Sequence, residues 1–288
     1  MRLPSVGSRV SLRYRLPAGS EPPLTEAVGH LEAVAPQLRL RTRSGELVTV
    51  EPADLLNIKE ISVRPVRTSQ IRALEHAAAL ARPCPQQDWV DGWLVRAGSS
   101  EPLLNTAVPL EVSAQIGGLA GVARWYDERE LPALLALPER LLPLRSSAAA
   151  PEKVLVRDLT DMPDIPGGEP VELTDGPGAA TDGAVTVARL PGAAVAQAAV
   201  TTAPDGSSWL GIFGLRVDPA HRRAGLAGRV CATLLDWAAG HGAARAYLRV
   251  PADDEAALGF AESLDFRLHH RCRYVEAQAL LGGPPPTI

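Results

Sequence analysis

Trp209-Leu210-Gly211-Ile212-Phe213-Gly214-Leu215-Arg216-Val217, then Asp218-Pro219, then Ala220-His221-Arg222-Arg223-Ala224-Gly225-Leu226-Ala227-Gly228: this stretch decides how the chain folds. The apolar run reads as a long buried strand, and Asp218-Pro219 stops it. The rest opens a helix to about Ala239, with Leu226, Val230, Leu234 and Trp237 on its inner stripe and Gly240-His241-Gly242 closing it. Arg245-Ala246-Tyr247-Leu248-Arg249-Val250 then reads as another strand. A strand, a tight basic turn containing glycine, and a helix together make an anion site. The first helical turn leaves backbone N–H groups unpaired, and the aligned peptide dipoles favour negative charge there. Gly225 and Ala227 keep side chains clear of an approaching pyrophosphate, and Arg222 and Arg223 can add charge-assisted contacts.

Upstream, Ala184-Val185-Thr186-Val187-Ala188-Arg189 and Ala194-Val195-Ala196-Gln197-Ala198-Ala199-Val200 read as strands, with a turn at Pro204-Asp205-Gly206 before Trp209. Residues 161–183 are rich in Asp, Pro and Gly and are expected as a long surface loop. Val154-Leu155-Val156 restarts a strand pattern after the small-residue linker Arg145-Ser146-Ser147-Ala148-Ala149-Ala150-Pro151. In the middle segment Ser69 is placed as the cap of a helix to about Arg82, with Ile71, Leu74, Ala78 and Ala81 on one face. Gly92-Trp93-Leu94-Val95-Arg96 and Asn105-Thr106-Ala107-Val108-Pro109-Leu110 look strand-like, residues 116–130 helical, and residues 141–144 a buried strand. No constellation of catalytic residue types shows in this segment, and His76 reads as a helix-surface residue.

Residues 1–66 alternate with period two, as in Arg9-Val10-Ser11-Leu12-Arg13-Tyr14-Arg15, Leu38-Arg39-Leu40-Arg41-Thr42-Arg43 and Leu47-Val48-Thr49-Val50. Several short strands in so short a stretch predict a small SH3-like barrel. Arg39, Arg41 and Arg43 share one face: either a solvated outer face or a nucleic-acid contact surface, and the near charge balance of the module argues against strong phosphate binding. No apolar run approaches the length of about 18 residues that spanning a bilayer takes. The N-terminus lacks the apolar core of a signal peptide. Cys84, Cys231 and Cys272 are too few and too irregularly spaced for a zinc site or a disulfide framework, so a reducing cytoplasm is expected.

Val217-Asp218-Pro219 followed by Arg222-Arg223-Ala224-Gly225-Leu226-Ala227 resembles the acyl-CoA pyrophosphate loop of the GNAT superfamily, whose pattern is Gln/Arg-x-x-Gly-x-Gly/Ala. Asp253-Asp254-Glu255-Ala256-Ala257 with Leu264-Asp265-Phe266-Arg267 is similar to the family's fourth helix and its Leu-Gly-Phe ending, and His269-His270-Arg271-Cys272-Arg273-Tyr274 to its sixth strand. The whole chain also resembles a group of actinobacterial-type GNAT proteins through Gly92-Trp93-Leu94-Val95-Arg96, Asn105-Thr106-Ala107-Val108-Pro109-Leu110 and Trp125-Tyr126.

The resemblance implies an α+β fold: a GNAT mixed sheet with flanking helices at residues 151–288, preceded by a degenerate GNAT-like α/β segment at 67–150 and the small N-terminal β-barrel. It implies that acetyl-CoA or another acyl-CoA is held by Leu215, Arg216, Val217, Arg222, Arg223, Ala224, Gly225, Leu226, Ala227 and Asp254. The strand backbone would meet the pantetheine and the loop amides the pyrophosphate. The chemistry implied is direct attack of an amine, on a small molecule or a protein, at the thioester. Backbone N–H stabilises the oxyanion, and one such donor is worth about 3–4 kcal/mol of barrier.

Two family groups are missing. The position of the family's general-acid Tyr is Ala261, and the strand before the loop carries no carboxylate. Asp254 stands where the family has Asn. A leaving thiol with a pKa of about 8.5 can depart without an acid at moderate cost. Tyr247, His269, His270 and Tyr274 are the candidate catalytic groups, and strand alternation is expected to let only one of the two adjacent histidines face the cleft. The alternatives are a non-catalytic CoA-binding module and a GNAT-type transferase using an aminoacyl-tRNA or other nucleic-acid-linked substrate.

Overall fold

The computed structural model describes residues 4, 6–17, 19–42, 45–60, 66–142, 152–160, 167–176 and 183–281. The chain divides into two compact units, Met1–Pro65 and Val66–Ile288.

In the first unit, β1 (Arg9–Arg15), β2 (Leu24–Ala33), β3 (Leu38–Thr42), β4 (Leu47–Val50) and β5 (Leu55–Glu60) form one antiparallel sheet in the order β4-β3-β2-β1-β5. Alternation sends Val10, Leu12, Leu38 and Leu40 inward to meet Leu31, Val50 and Ile58. Gly29 lies where β2 runs so close to β3 that a Cβ would collide with the Arg41 carbonyl, so glycine is required there. Arg39 and Arg41 are exposed, as expected. Arg41 is not a free cation, because it pairs with Glu32. Arg43 lies outside the described residues.

The second unit opens with α1 (Thr68–Ala81), β6 (Gln86–Val90), β7 (Trp93–Ala97), β8 (Val108–Pro109), α2 (Leu119–Asp127) and β9 (Leu134–Pro138). It continues with β10 (Glu152–Asp158), β11 (Glu172–Asp175), β12 (Gly183–Leu190), β13 (Ala194–Thr202), β14 (Ser208–Val217), α3 (Leu226–Gly240), β15 (Arg245–Pro251), α4 (Glu255–Ser263), β16 (Arg267–Glu276) and α5 (Ala277–Leu281). Eight strands make one mixed sheet in the order β11-β12-β13-β14-β15-β10-β16-β9, and β6-β7-β8 make a second, small sheet. Neighbours in the large sheet are antiparallel except β14 and β15, which run parallel. This is the mixed α+β architecture expected from the resemblance.

Helix α3 packs Val230, Leu234 and Leu235 against Ala196, Leu210 and Ile212 on one face of the sheet. Helix α1 packs Leu74 and Ala77 on the other, against Trp209 and Tyr247. Each buried leucine contributes about 1.5–3 kcal/mol. Thr201 Oγ1 donates to the Ala77 carbonyl at 2.8 Å, which fixes α1 along β13.

Several local expectations are corrected. The buried strand is β9; of the expected strand at residues 141–144, Leu141 and Leu142 lie in a turn, and residues 143 and 144 lie outside the described residues. The apolar run Leu134-Leu135-Ala136-Leu137 pairs with β16, whereas Leu141 and Leu142 continue the turn at Arg140, whose φ is 67°. Helix α1 is capped at Arg67, whose N–H donates to Gln70 Oε1 at 2.9 Å, so Ser69 is already inside it. Only Val108 and Pro109 of the second strand-like motif enter a strand. The long loop carries the four-residue β11, paired with β12; residues 161–166 and 177–182 of that loop, and the linker 145–151, lie outside the described residues.

Candidate active site

The parallel pairing of β14 with β15 covers only Trp209↔Arg245, Leu210↔Ala246 and Gly211↔Tyr247. Beyond Gly211, β14 follows β13 as far as Val217 while β15 follows β10 as far as Pro251. The two strands therefore part, and the edge of residues 212–217 that faces away from β13 has no partner strand. A bulge with Gly214 at φ 62° lies just past the parting.

At the far end of β14, Asp218 Oδ1 accepts the Ala220 N–H at 2.8 Å and caps a short 3₁₀ turn, Pro219–His221. The backbone then turns through Arg223 (φ 62°) and Gly225 (φ 74°), and α3 starts at Leu226. Residues 222–228 donate no amide to any acceptor among the described residues; the first amide of the region to do so is Arg229, to Gly225 at 3.1 Å. A run of free N–H groups at the positive end of a helix is what an anion needs. Arg222, Arg223, Ala224 and Gly225 are exposed, and Leu226 and Ala227 are half-buried. Leu215, Arg216, Val217 and Arg222 also border an open groove of about 810 Å³. Asp254 caps α4 by accepting the Ala257 N–H at 2.9 Å.

A smaller cavity of about 270 Å³ lies where the strands part, bordered by Phe213 and Gly214 of β14, Tyr247 and Arg249 of β15, Glu75 of α1 and Glu152 of β10. Arg249 joins two carboxylates. Its Nη1 donates to Glu152 Oε2 at 2.6 Å, and its Nη2 pairs with Glu75. Glu75 is only 4% exposed and also meets His270 Nε2 at 2.8 Å. Burial alone would raise its carboxyl, but Arg249 and His270 outweigh burial and hold it down to about 2. So acidic a carboxylate anchors Arg249 and is a poor proton acceptor.

Among the sequence candidates, Tyr274 borders the cavity, and its hydroxyl donates to Glu152 Oε2 at 3.0 Å. Burial, with the Glu152 carboxylate, raises that hydroxyl above the tyrosine range. Tyr247 also borders the cavity, at the last parallel pair, and its hydroxyl has no hydrogen-bond partner among the described residues. Burial raises it as well, so both phenols stay protonated. His269 packs edge-on against Trp209, with ring centroids 6.3 Å apart, and is not on the cavity wall. Burial, then His270, lowers it to about 4, so its ring is neutral at pH 7.

The expectation that the adjacent histidines face opposite ways fails. Val154 pairs with His270 and Leu155 with Leu268, leaving His269 as the extra residue of a β-bulge, and the two Nδ1 atoms meet at 2.8 Å. Ala261 is buried in α4, and Cys231 and Cys272 are buried thiols raised to about 12, unsuited to nucleophilic work.

The sequence reading did not single out Glu75, Arg96, Glu152 and Arg249 as site residues; all four border the cavity, and Glu75 and Arg96 come from the middle segment. One signal was available. Glu75 lies four residues after Ile71 and three before Ala78, on the apolar stripe of α1, where an ionisable group needs a partner.

Residues 68–275 match the family model described as "Probable histone acetyltransferase Rv0428c C-terminal", and residues 4–59 match "Rv0428c N-terminal Sm-like domain". The chain is 44% identical to the probable histone acetyltransferase Rv0428c of Mycobacterium tuberculosis, across 96% of this chain and 97% of that protein. The chain belongs to the GNAT family. A solved structure of a GCN5-related N-acetyltransferase from Kribbella flavida shares the GNAT fold, with a TM-score of 0.54 at 17% identity over 74% of this chain and 96% of the other. Membership makes the chain a GNAT-type acyltransferase, and the small N-terminal sheet is the module its family describes as Sm-like. Among the described residues, no helix of this GNAT protein is long and apolar enough to cross a membrane.

Proposed function

We propose that the chain transfers an acyl group, acetyl in the first instance, from acyl-CoA to an amine by direct attack at the thioester. The observation that carries this reading is the parting of β14 from β15 between a run of free amides at one end and a polar cavity at the other. The amides of Arg223, Ala224, Gly225, Leu226 and Ala227 hold the pyrophosphate, with Arg222 and Arg223 adding charge. The unpaired backbone of Leu215 and Val217 carries the pantetheine, Arg216 flanks it, and Asp254 fixes the start of α4 beside it.

Glu152 attracts the acceptor's ammonium and passes its proton toward solvent. The neutral amine attacks the thioester carbon, an amide of the bulge at Gly214 and Leu215 holds the oxyanion, and as the C–S bond breaks the nitrogen gives up its extra proton to the departing thiolate, which leaves as the thiol. Tyr247 or Tyr274, each protonated, donates a hydrogen bond to the departing thiolate. His269 supports this wall through His270 and Glu75. The acceptor is a protein or small-molecule amine; the relative's name points to a protein. The pairing of Arg41 with Glu32 weakens the case for a nucleic-acid-linked substrate. Three free, buried cysteines suit a reducing cytoplasm.

The test is calorimetric titration with acetyl-CoA, followed by thiol release over a panel of amines. Binding with turnover is expected. Failure to bind acetyl-CoA sinks the reading outright, and binding without turnover on any amine sinks its catalytic part.

A further inference from the structure

Arg96 is 6% exposed and lies on the wall of the 270 Å³ cavity. Its backbone is clamped by Tyr126, whose hydroxyl accepts the Arg96 N–H at 3.2 Å and donates to the Arg96 carbonyl at 3.0 Å. The guanidinium has only one hydrogen bond among the described residues, from Nη2 to Thr106 Oγ1 at 3.3 Å. Nε is buried with no acceptor among the described residues.

That is a costly arrangement. A buried guanidinium offers five N–H donors in a fixed fork, and leaving them unpaired forfeits their hydration without return. The other cations of the cavity are spoken for: Arg82 pairs with Glu101, and Arg249 with both Glu75 and Glu152. Among the described residues the wall thus carries Glu75, Glu101 and Glu152 against Arg82, Arg96 and Arg249, a neutral set in which Arg96 alone lacks a directly bonded carboxylate. A ligand that brings a carboxylate and an ammonium keeps the set neutral and completes it.

We infer that the acceptor is a small amino acid-type molecule, whose carboxylate docks in the fork of Arg96 while its amine lies near Glu152 at the parting of the strands. This rests on the acyltransferase reading for the amine's fate, but the anion subsite stands on the cavity and the unpaired guanidinium alone. A cavity of this volume takes a free amino acid whole, whereas a lysine presented by a protein chain brings no carboxylate with it.

The experiment measures binding and turnover separately on the full chain loaded with acetyl-CoA or CoA. The probes are glycine, β-alanine, 4-aminobutyrate and the common α-amino acids, each beside its carboxamide, with an end-blocked lysine peptide as the protein-like arm. At least one amino acid is expected to exceed its carboxamide by about 10- to 100-fold in affinity and kcat/KM. Arg96→Met is expected to bring that ratio near one with acetyl-CoA affinity unchanged, and Arg96→Lys to keep part of it. The wild-type ratio stands even if Arg96→Met does not fold.

Carboxylate-dependent binding without turnover upholds the subsite and overturns the acyl-transfer reading. Acids and carboxamides used equally well, or turnover of the blocked peptide alone, overturn the subsite and leave acyl transfer standing. If no probe binds, the subsite is overturned.

Discussion

The turn at residues 222–228 and the cavity beside Gly214 lie at either end of the same parting strand, yet they are built by opposite means. The turn is exposed and local, and its chemistry is backbone: one strand end, one glycine at positive φ, one helix start. The cavity is enclosed and assembled from afar. Glu75 and Arg249, which pair directly, are separated by 174 residues of chain. A site made of amides tolerates change in nearly every side chain around it. A site made of buried charges depends on each partner, because removing one strands another in a medium of low polarity.

That contrast can be broken by experiment. Glu75→Ala removes the carboxylate on which both Arg249 and His270 rest, and is expected to cost about 3–5 kcal/mol in chemical denaturation; a loss below about 1 kcal/mol would mean that the cavity network is not structural. Gly225→Glu places a bulky anion where the amides point, at a position with open space around the glycine. It is expected to lower acetyl-CoA affinity by about 100-fold or more by calorimetry, for a stability loss of about 1–2 kcal/mol from the positive φ. Unchanged affinity there contradicts the phosphate assignment.

Tyr274→Phe deletes the hydroxyl on Glu152 and is expected to reduce kcat roughly tenfold with little change in acetyl-CoA affinity; wild-type kcat would remove Tyr274 from the chemistry. The smallest effect concerns pH. His269 is held near 4 in the folded chain against about 6.5 unfolded, so over that window the unfolded chain takes up a proton that the folded chain refuses. Stability is therefore expected to fall as the pH drops from about 6.5 toward 4. His269→Gln should flatten that slope in urea titrations, leaving the further loss as Glu75 protonates between its ordinary value of 4.5 and about 2. An identical slope in the variant rejects the assignment to His269.

The two sites also differ in how they could be read. Asp218-Pro219, the arginines, Gly225 and the stripe of α3 are contiguous, so strand, turn, helix and anion site all follow from neighbours in the chain. The missing carboxylate on β14 was equally legible, but not that Glu152 would face the parting from β10, or Glu75 from α1. Strand alternation misled at His269 and His270 because a bulge arises from pairing with β10, which the residues of β16 alone do not reveal. Leu141 and Leu142 misled for the same reason: a strand is chosen by the edge that accepts it, and β16 accepts β9.

By itself, then, the amino-acid order determined the strand, basic turn and helix at α3 and the alternating N-terminal strands, since each depends on contacts a few residues apart; the α+β class and the tyrosine missing at Ala261 came from the resemblance. Only the tertiary structure decided which ionisable groups share a cavity and which of them go unpaired. Burial and ion pairing are set by the packing of distant segments, and the guanidinium of Arg96 acquires its meaning from what the fold withholds from it.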